Sequence, residues 1–214
     1  MEEQKSSKRI YTLDLLRIFG AITILLFHIK LEFGYVYPIF DSFISQGNCI
    51  MLLFFMLSGF VLQKSYSGTC FWEGKKLGDF YYKRLAGIYP LYLFNYLYIL
   101  IVTFILYYSK SVLLANFITF PTELMMVQTA FYELNVGGNS GTWFLSCLAF
   151  CYFAFPLLSY ISHKLGKKRI VFGAVIFILL ITAPIIVPLC GLHGIYTNPF
   201  LGCLNFLSGF CCTI

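Results

Sequence analysis

Charge is scarce in this chain. Only 11% of its 214 residues are Asp, Glu, Lys or Arg, while 59% are hydrophobic. That balance leaves too few polar side chains to cover a water-soluble globule of this size. Nor does any stretch between the apolar runs have the length of a separate soluble domain. There are eight cysteines, but they lack the paired C-x-x-C spacing of a zinc site and the loop placement of a disulfide framework, so no metal is expected. Cys147 and Cys151 share a helix face, where small apolar fillers suffice. Nor is the first apolar run expected to be a cleavable leader. The first apolar run is too long for one, carries Arg17 within it and is followed by no small-residue cleavage site.

What the sequence does contain is a series of apolar runs long enough to cross a bilayer, which takes roughly 20 residues for about 30 Å of hydrocarbon. Spans are predicted at about Tyr11 to Leu31, Asn48 to Leu62, Leu85 to Tyr108, Thr142 to Ser162, Ile170 to Leu189 and Pro199 to Ile214. The predicted fold class is therefore all-α, a polytopic transmembrane helix bundle. A tail over residues 1–10 precedes one transmembrane domain over residues 11–214.

Fifteen Lys and Arg against nine Asp and Glu give a net charge of +6, a surplus that could suit a polyanion. Its distribution says otherwise. Lys5, Lys8 and Arg9 precede the first span; Lys64, Lys75, Lys76, Lys83 and Arg84 lie between the second and third; Lys164, Lys167, Lys168 and Arg169 lie between the fourth and fifth. Alternate loops are basic, as the positive-inside rule requires, so the amino terminus and those two loops are expected in the cytoplasm. No nucleic-acid partner is expected.

Ionisable residues inside a membrane helix cost about 2.5–3.5 kcal/mol on insertion scales and mark functional candidates. The first predicted span holds Asp14, Arg17 and His28. Eleven helical steps separate Arg17 from His28, returning to within about 20° of the same direction over about 16 Å, so both lie on one stripe. Two readings stay open from this spacing. Asp14 and Arg17 can form an interfacial ion pair while His28 hydrogen-bonds a neighbouring helix, or the imidazole can work as an acid or base on a substrate. Elsewhere, Ser58-Gly59 suits close helix packing, Trp143 suits an interface belt, and Ser146 has no acid or base beside it in sequence. The segment between the third and fourth spans, with Glu123, Glu133 and the glycine-rich residues 135–141, reads as an outward connecting loop. His163 and His193 are expected in loops.

Five motifs carry a family resemblance. The first span, from Leu13-Asp14 through Arg17 to Phe27-His28, resembles the opening of the acyltransferase-3 family of membrane acyltransferases, whose hallmark is an Arg and a His separated by ten residues. Leu53-Phe54-Phe55-Met56-Leu57-Ser58-Gly59-Phe60 resembles the family's F-F-x-L-S-G-F segment. Lys83-Arg84-Leu85-Ala86-Gly87-Ile88-Tyr89-Pro90-Leu91-Tyr92 is similar to its K-R-x-x-R-I-Y-P-x-Y element, with Gly87 standing where the family has a second Arg. Trp143-Phe144-Leu145-Ser146 resembles its W-F-L-S span, and Phe206-Leu207-Ser208-Gly209 its F-L-x-G segment.

The resemblance implies a bundle of about ten packed helices in a complete member, transferring an acyl group, commonly acetyl, from a cytoplasmic coenzyme A thioester to a hydroxyl of a cell-surface polysaccharide, glycolipid or related acceptor. On that reading His28 is the catalytic base or nucleophile. Arg17 positions the donor or stabilises oxyanion charge. Arg84 and Lys83 hold the phosphates of acyl-CoA, with one contact fewer because of Gly87, and Asp14 and Trp143 support the site. The host is expected to be a bacterial cell membrane. About six of the family's ten spans are predicted here, so a product truncated at its C-terminus is expected. An inactive remnant and a transporter or flippase-like protein remain the alternative readings.

Overall fold

Where water is absent, every backbone N–H and C=O must be paired within its own segment or against a neighbour, and a helix does this with no outside help. The computed structural model describes residues 11–106, 110–130, 142–189 and 199–211, and among them it contains helices and no strand. The helices are α1 (Tyr11–Phe33), the single turn α2 (Asp41–Ile44), α3 (Gly47–Ser65), α4 (Lys76–Leu106), α5 (Lys110–Leu124), α6 (Trp143–Leu165), α7 (Arg169–Leu189) and α8 (Pro199–Cys211). Three of them, α1, α4 and α6, are long and apolar enough to cross a membrane; shorter apolar stretches run through α3, α7 and α8.

These helices match the expected spans closely except around α4 and α5. α4 starts nine residues before the expected Leu85. The leading residues Lys76 to Arg84 are too polar for hydrocarbon but form a sound helix, with Asp79 in the first turn complementing the helix dipole. At 31 residues α4 is about 46 Å long, well beyond the hydrocarbon thickness. The outward loop expected after it is corrected: residues 110–124 form α5, and Glu123 is buried in it at 1% exposure. His163 likewise lies in the last turn of α6 rather than in a loop. Glu133, His193 and the glycine-rich stretch fall outside the described residues.

The chain divides into two compact units, one within Met1–Ser67 and Asn205–Ile214, the other within Gly68–Leu204. In the first, α1 and α3 run antiparallel. Gly20 faces Phe54, where an added Cβ would lie 2.9 Å from the ring, and Phe27 faces Gly47. Buried Thr23 satisfies its hydroxyl on the Phe19 carbonyl at 3.0 Å. On α3's other contact, a Cβ on Gly59 would collide with the Phe206 carbonyl, and one on Gly209 with the Met56 carbonyl. The two motif glycines, Gly59 and Gly209, thus let the backbones of α3 and α8 touch.

A polar clasp closes the turn after α1. Gly34, at φ 62, ends the helix in the left-handed conformation that glycine tolerates best. The chain then returns so that the Lys30 ammonium meets both the Asp41 carboxylate and Ser45 Oγ, the latter at 2.7 Å. The Tyr37 N–H donates to the other Asp41 oxygen at 3.2 Å. Lys30 first, then this N–H, holds the Asp41 carboxyl below its ordinary value of 3.8.

In the second unit α4 and α6 are antiparallel. Phe80 stacks on Phe155 with ring centroids 5.4 Å apart, and Phe71 meets both rings edge-on. Tyr81 donates to the Phe153 carbonyl at 3.1 Å, and further along Tyr92, Ala149 and Met126 form a buried cluster. Leu201 and Leu204 of α8 pack with Leu180 of α7.

Two outcomes follow for stability in detergent. Gly209→Leu should destabilise the protein by at least about 1–3 kcal/mol through overpacking, whereas Gly87→Ala, with nothing within 4 Å of the added Cβ, should leave thermal unfolding unchanged or slightly improved. The Asp41 clasp should contribute fully above pH 3.8 and be lost as pH falls through the lower folded value. The stability gap between wild type and Asp41→Asn should therefore be constant above pH 3.8 and close below it.

Candidate functional site

α1 carries the acid–base candidates. Arg17 Nη1 lies 3.6 Å from Asp14 Oδ1 across one helical turn, with both side chains about one-third exposed. A pair so exposed contributes about 0–1 kcal/mol, so Arg17 can leave Asp14 for a stronger anionic partner at little cost. His28 is exposed, five residues before the end of α1, with its ring edge-on to Phe27 at 5.7 Å between centroids. The helix keeps Arg17 and His28 on one stripe about 16 Å apart, too far for contact between them. Each can act on a different part of one extended substrate. The Lys30 clasp lies two residues beyond His28 and fixes the course of the chain at that end of α1.

The second unit holds the expected donor residues. Lys83 is exposed near the start of α4, while Arg84 is half-buried with its guanidinium 5.8 Å above the Phe80 ring. That cation–π contact fixes the planar charge over the ring. Gly87 follows one turn later on the helix, with open space around its Cα. Trp143 begins α6, half-buried and edge-on to Phe144 at 6.2 Å.

The largest polar feature is one the sequence reading missed. α5 ends in a Schellman-type cap: Val127 N–H returns to the Thr122 carbonyl at 2.9 Å and Met126 N–H to the Glu123 carbonyl at 3.0 Å. Met126 takes the left-handed position at φ 57, where glycine is usual, and its side chain is buried at 2% exposure. Around this cap the Tyr92 hydroxyl of α4 donates to the Glu123 carbonyl at 2.6 Å and reaches its Oε2 at 2.9 Å. Gln128 Nε2 donates to Tyr92 Oη at 3.1 Å and to Thr142 Oγ1, just before α6, at 3.4 Å. Ser146 Oγ donates to the Met126 carbonyl and lies 2.9 Å from Thr129 Oγ1. The last residue of the Y-P-x-Y element and the last of W-F-L-S therefore meet on one segment. A polar Pro121-Thr122-Glu123 run ahead of Gln128-Thr129 was the available signal. Among the described residues, no three His, Cys, Asp or Glu side chains converge as a metal site would require. Cys151 and Cys203 are free thiols with sulfurs 3.4 Å apart.

Known proteins place this architecture. The profile of a family described as an acyltransferase domain matches residues 10–213. The chain is also similar to the acyltransferase MdmB of Streptomyces mycarofaciens, at 31% identity over 132 residues, which covers 58% of this chain and 31% of that protein. The match thus spans about a third of the curated relative's length. No solved structure matches. With its long apolar helices and a family profile running from one end to the other, the chain is a membrane protein that belongs to the acyltransferase-3 family.

Proposed function

We propose that this chain works in O-acyl transfer, moving an acyl group, acetyl in the first instance, from acyl-CoA to a hydroxyl of a cell-envelope polysaccharide, glycolipid or related acceptor. The observation that carries the reading is the family match over residues 10–213, which takes in the helix bearing Asp14, Arg17 and His28. His28 removes the proton from the acceptor hydroxyl as its oxygen attacks the thioester carbonyl. The C–S bond then breaks, and the departing thiolate takes up a proton. Arg17, about 16 Å from His28 along α1, releases Asp14 to steady the donor away from the reacting carbonyl. Arg84 and Lys83 bind the donor phosphates. The alternation of basic loops supports an amino terminus in the cytoplasm, where acyl-CoA is made, and the similarity to a Streptomyces protein supports a bacterial cell membrane as the host. The accessibility of His28 supports its use on a substrate rather than as a buried helix tie.

The test is transfer from radiolabelled acetyl-CoA to a crude envelope acceptor by the protein reconstituted in lipid. His28→Ala should lower the rate by about 10²–10⁴-fold; label transfer that survives the substitution would sink the mechanism, and none by wild type would favour an inactive remnant. Arg84→Ala should raise KM for the donor with little change in kcat. Gly87→Arg, entering open space one turn from Arg84, should lower that KM several-fold by restoring the second cation of the family's motif.

A further inference from the structure

Glu32 stands in the last turn of α1, one helical turn beyond His28. Four residues advance a helix by about 400°, so the two side chains lie within about 40° of one direction, with Cβ atoms about 5–6 Å apart. Helical side chains lean back toward the N-terminus, which brings the Glu32 carboxylate over the turn that carries His28. Both residues are exposed, so nothing packed around them blocks a contact.

Helix stability does not account for an acid here, because the C-terminal end of the macrodipole disfavours negative charge. Nor does a neighbouring lysine. Lys30, the basic residue of the same turn, is engaged by Asp41 and Ser45, and residues two apart on a helix do not face each other. Among the described residues Glu32 enters no ion pair. Of the two positions one turn back, Ile29 is apolar and His28 is an imidazole. Depth suits the pairing as well: α1, with 23 residues, is about 34 Å long, slightly more than the hydrocarbon. Glu32 therefore lies at the interface, where a carboxylate keeps its hydration, and His28 about 6 Å further along the helix toward the bilayer interior.

We propose that Glu32 is a positioning residue for His28: its carboxylate accepts one imidazole N–H and so leaves the other ring nitrogen bare and turned toward the acceptor hydroxyl. This rests on the acyl-transfer reading, in which His28 is the base. As the hydroxyl oxygen attacks the thioester carbonyl, its proton passes to that bare nitrogen. The imidazolium then lies against a carboxylate, and the same proton goes on to the departing thiolate, leaving ring and acid as they began. What Glu32 contributes is one tautomer, one ring orientation and a counter-charge for the imidazolium. In the structure no hydrogen bond joins the two side chains; contacts of this kind commonly tighten when substrate is in place.

The experiment has two arms on the reconstituted protein. The first needs no catalysis: diethyl pyrocarbonate acylates a bare imidazole nitrogen, and mass spectrometry of the peptide bearing His28 gives the rate at that ring alone. At about pH 8, above the ordinary imidazole range, Glu32→Ala should slow this reaction several-fold, and Glu32→Gln, whose amide oxygen accepts the same hydrogen bond without the charge, should fall between. A rate unchanged or raised by Glu32→Ala overturns the proposal whatever the protein's activity. The second arm follows acetyl transfer. Glu32→Ala should lower kcat by about tenfold or more with KM for acetyl-CoA unmoved, and Glu32→Gln should recover part of the loss. In a His28→Ala background the same substitution should lower the residual rate no further; an equal drop there marks a structural role and overturns the positioning one. If wild type itself transfers nothing, the functional reading fails while the acylation rate still decides whether Glu32 acts on His28.

Discussion

Helices surrounded by hydrocarbon gain nothing by hiding leucine from lipid, so what holds them to one another must be close backbone approach or internal hydrogen bonds. Both devices are visible here, one in each unit. Between α3 and α8 the approach is backbone to backbone at Gly59 and Gly209, with no room for a single added carbon. Between α4, α5 and α6 it is a buried hydrogen-bonded junction centred on Tyr92, Glu123 and Gln128. The many exposed apolar side chains on α1 and α4, such as Ile18, Ile22, Leu91 and Phe94, are what such a protein presents to its solvent.

This constraint separates the motif residues into two groups. Gly59, Gly209, Tyr92 and Ser146 belong to motifs that suggest chemistry, yet each is occupied in holding helices together. Ser146 illustrates the point. Its hydroxyl is fully buried and already engaged with the Met126 carbonyl, so it has neither access nor an activating base. His28 is in the opposite position, exposed, with the Phe27 ring edge-on beside it. Arg17 lies between the two groups, held by a partner weak enough to exchange.

Hydropathy made α1, α3, α6, α7 and α8 legible because each is an apolar run bounded by charge or a turn, and the close packing of Gly59 was readable from its Ser-Gly context. α5 was not legible, for two physical reasons. Thr119, Pro121, Thr122 and Glu123 lower its apolar character; the threonine hydroxyls turn back on carbonyls three residues earlier, but Glu123 is met by a tyrosine 31 residues earlier that sequence order does not reveal. Its end was also disguised. A helix stop is usually signalled by glycine in the left-handed position, and here Met126 fills it, retained by burial and by the Ser146 hydroxyl on its carbonyl. The Arg17–His28 stripe was legible because it depends only on helical periodicity. The Asp14–Arg17 pair followed from their three-residue separation.

A left-handed methionine costs of order 1 kcal/mol or more, and replacing it with glycine would relieve that strain while removing a buried side chain from the cluster with Tyr92 and Ala149. Losing such a side chain costs more than the strain, about 2–5 kcal/mol for Met→Ala in a core. The strained conformation is therefore the lower-energy choice at this site, and the side chain explains it without any functional role for the strain. The same comparison bears on Glu123. An acid buried among apolar side chains is a poor stabiliser, and leucine of similar size would pack there without desolvation cost. What leucine cannot do is satisfy Tyr92 and fix its direction. A polar junction specifies one arrangement of α4 against α5 and α6 where apolar packing would allow several.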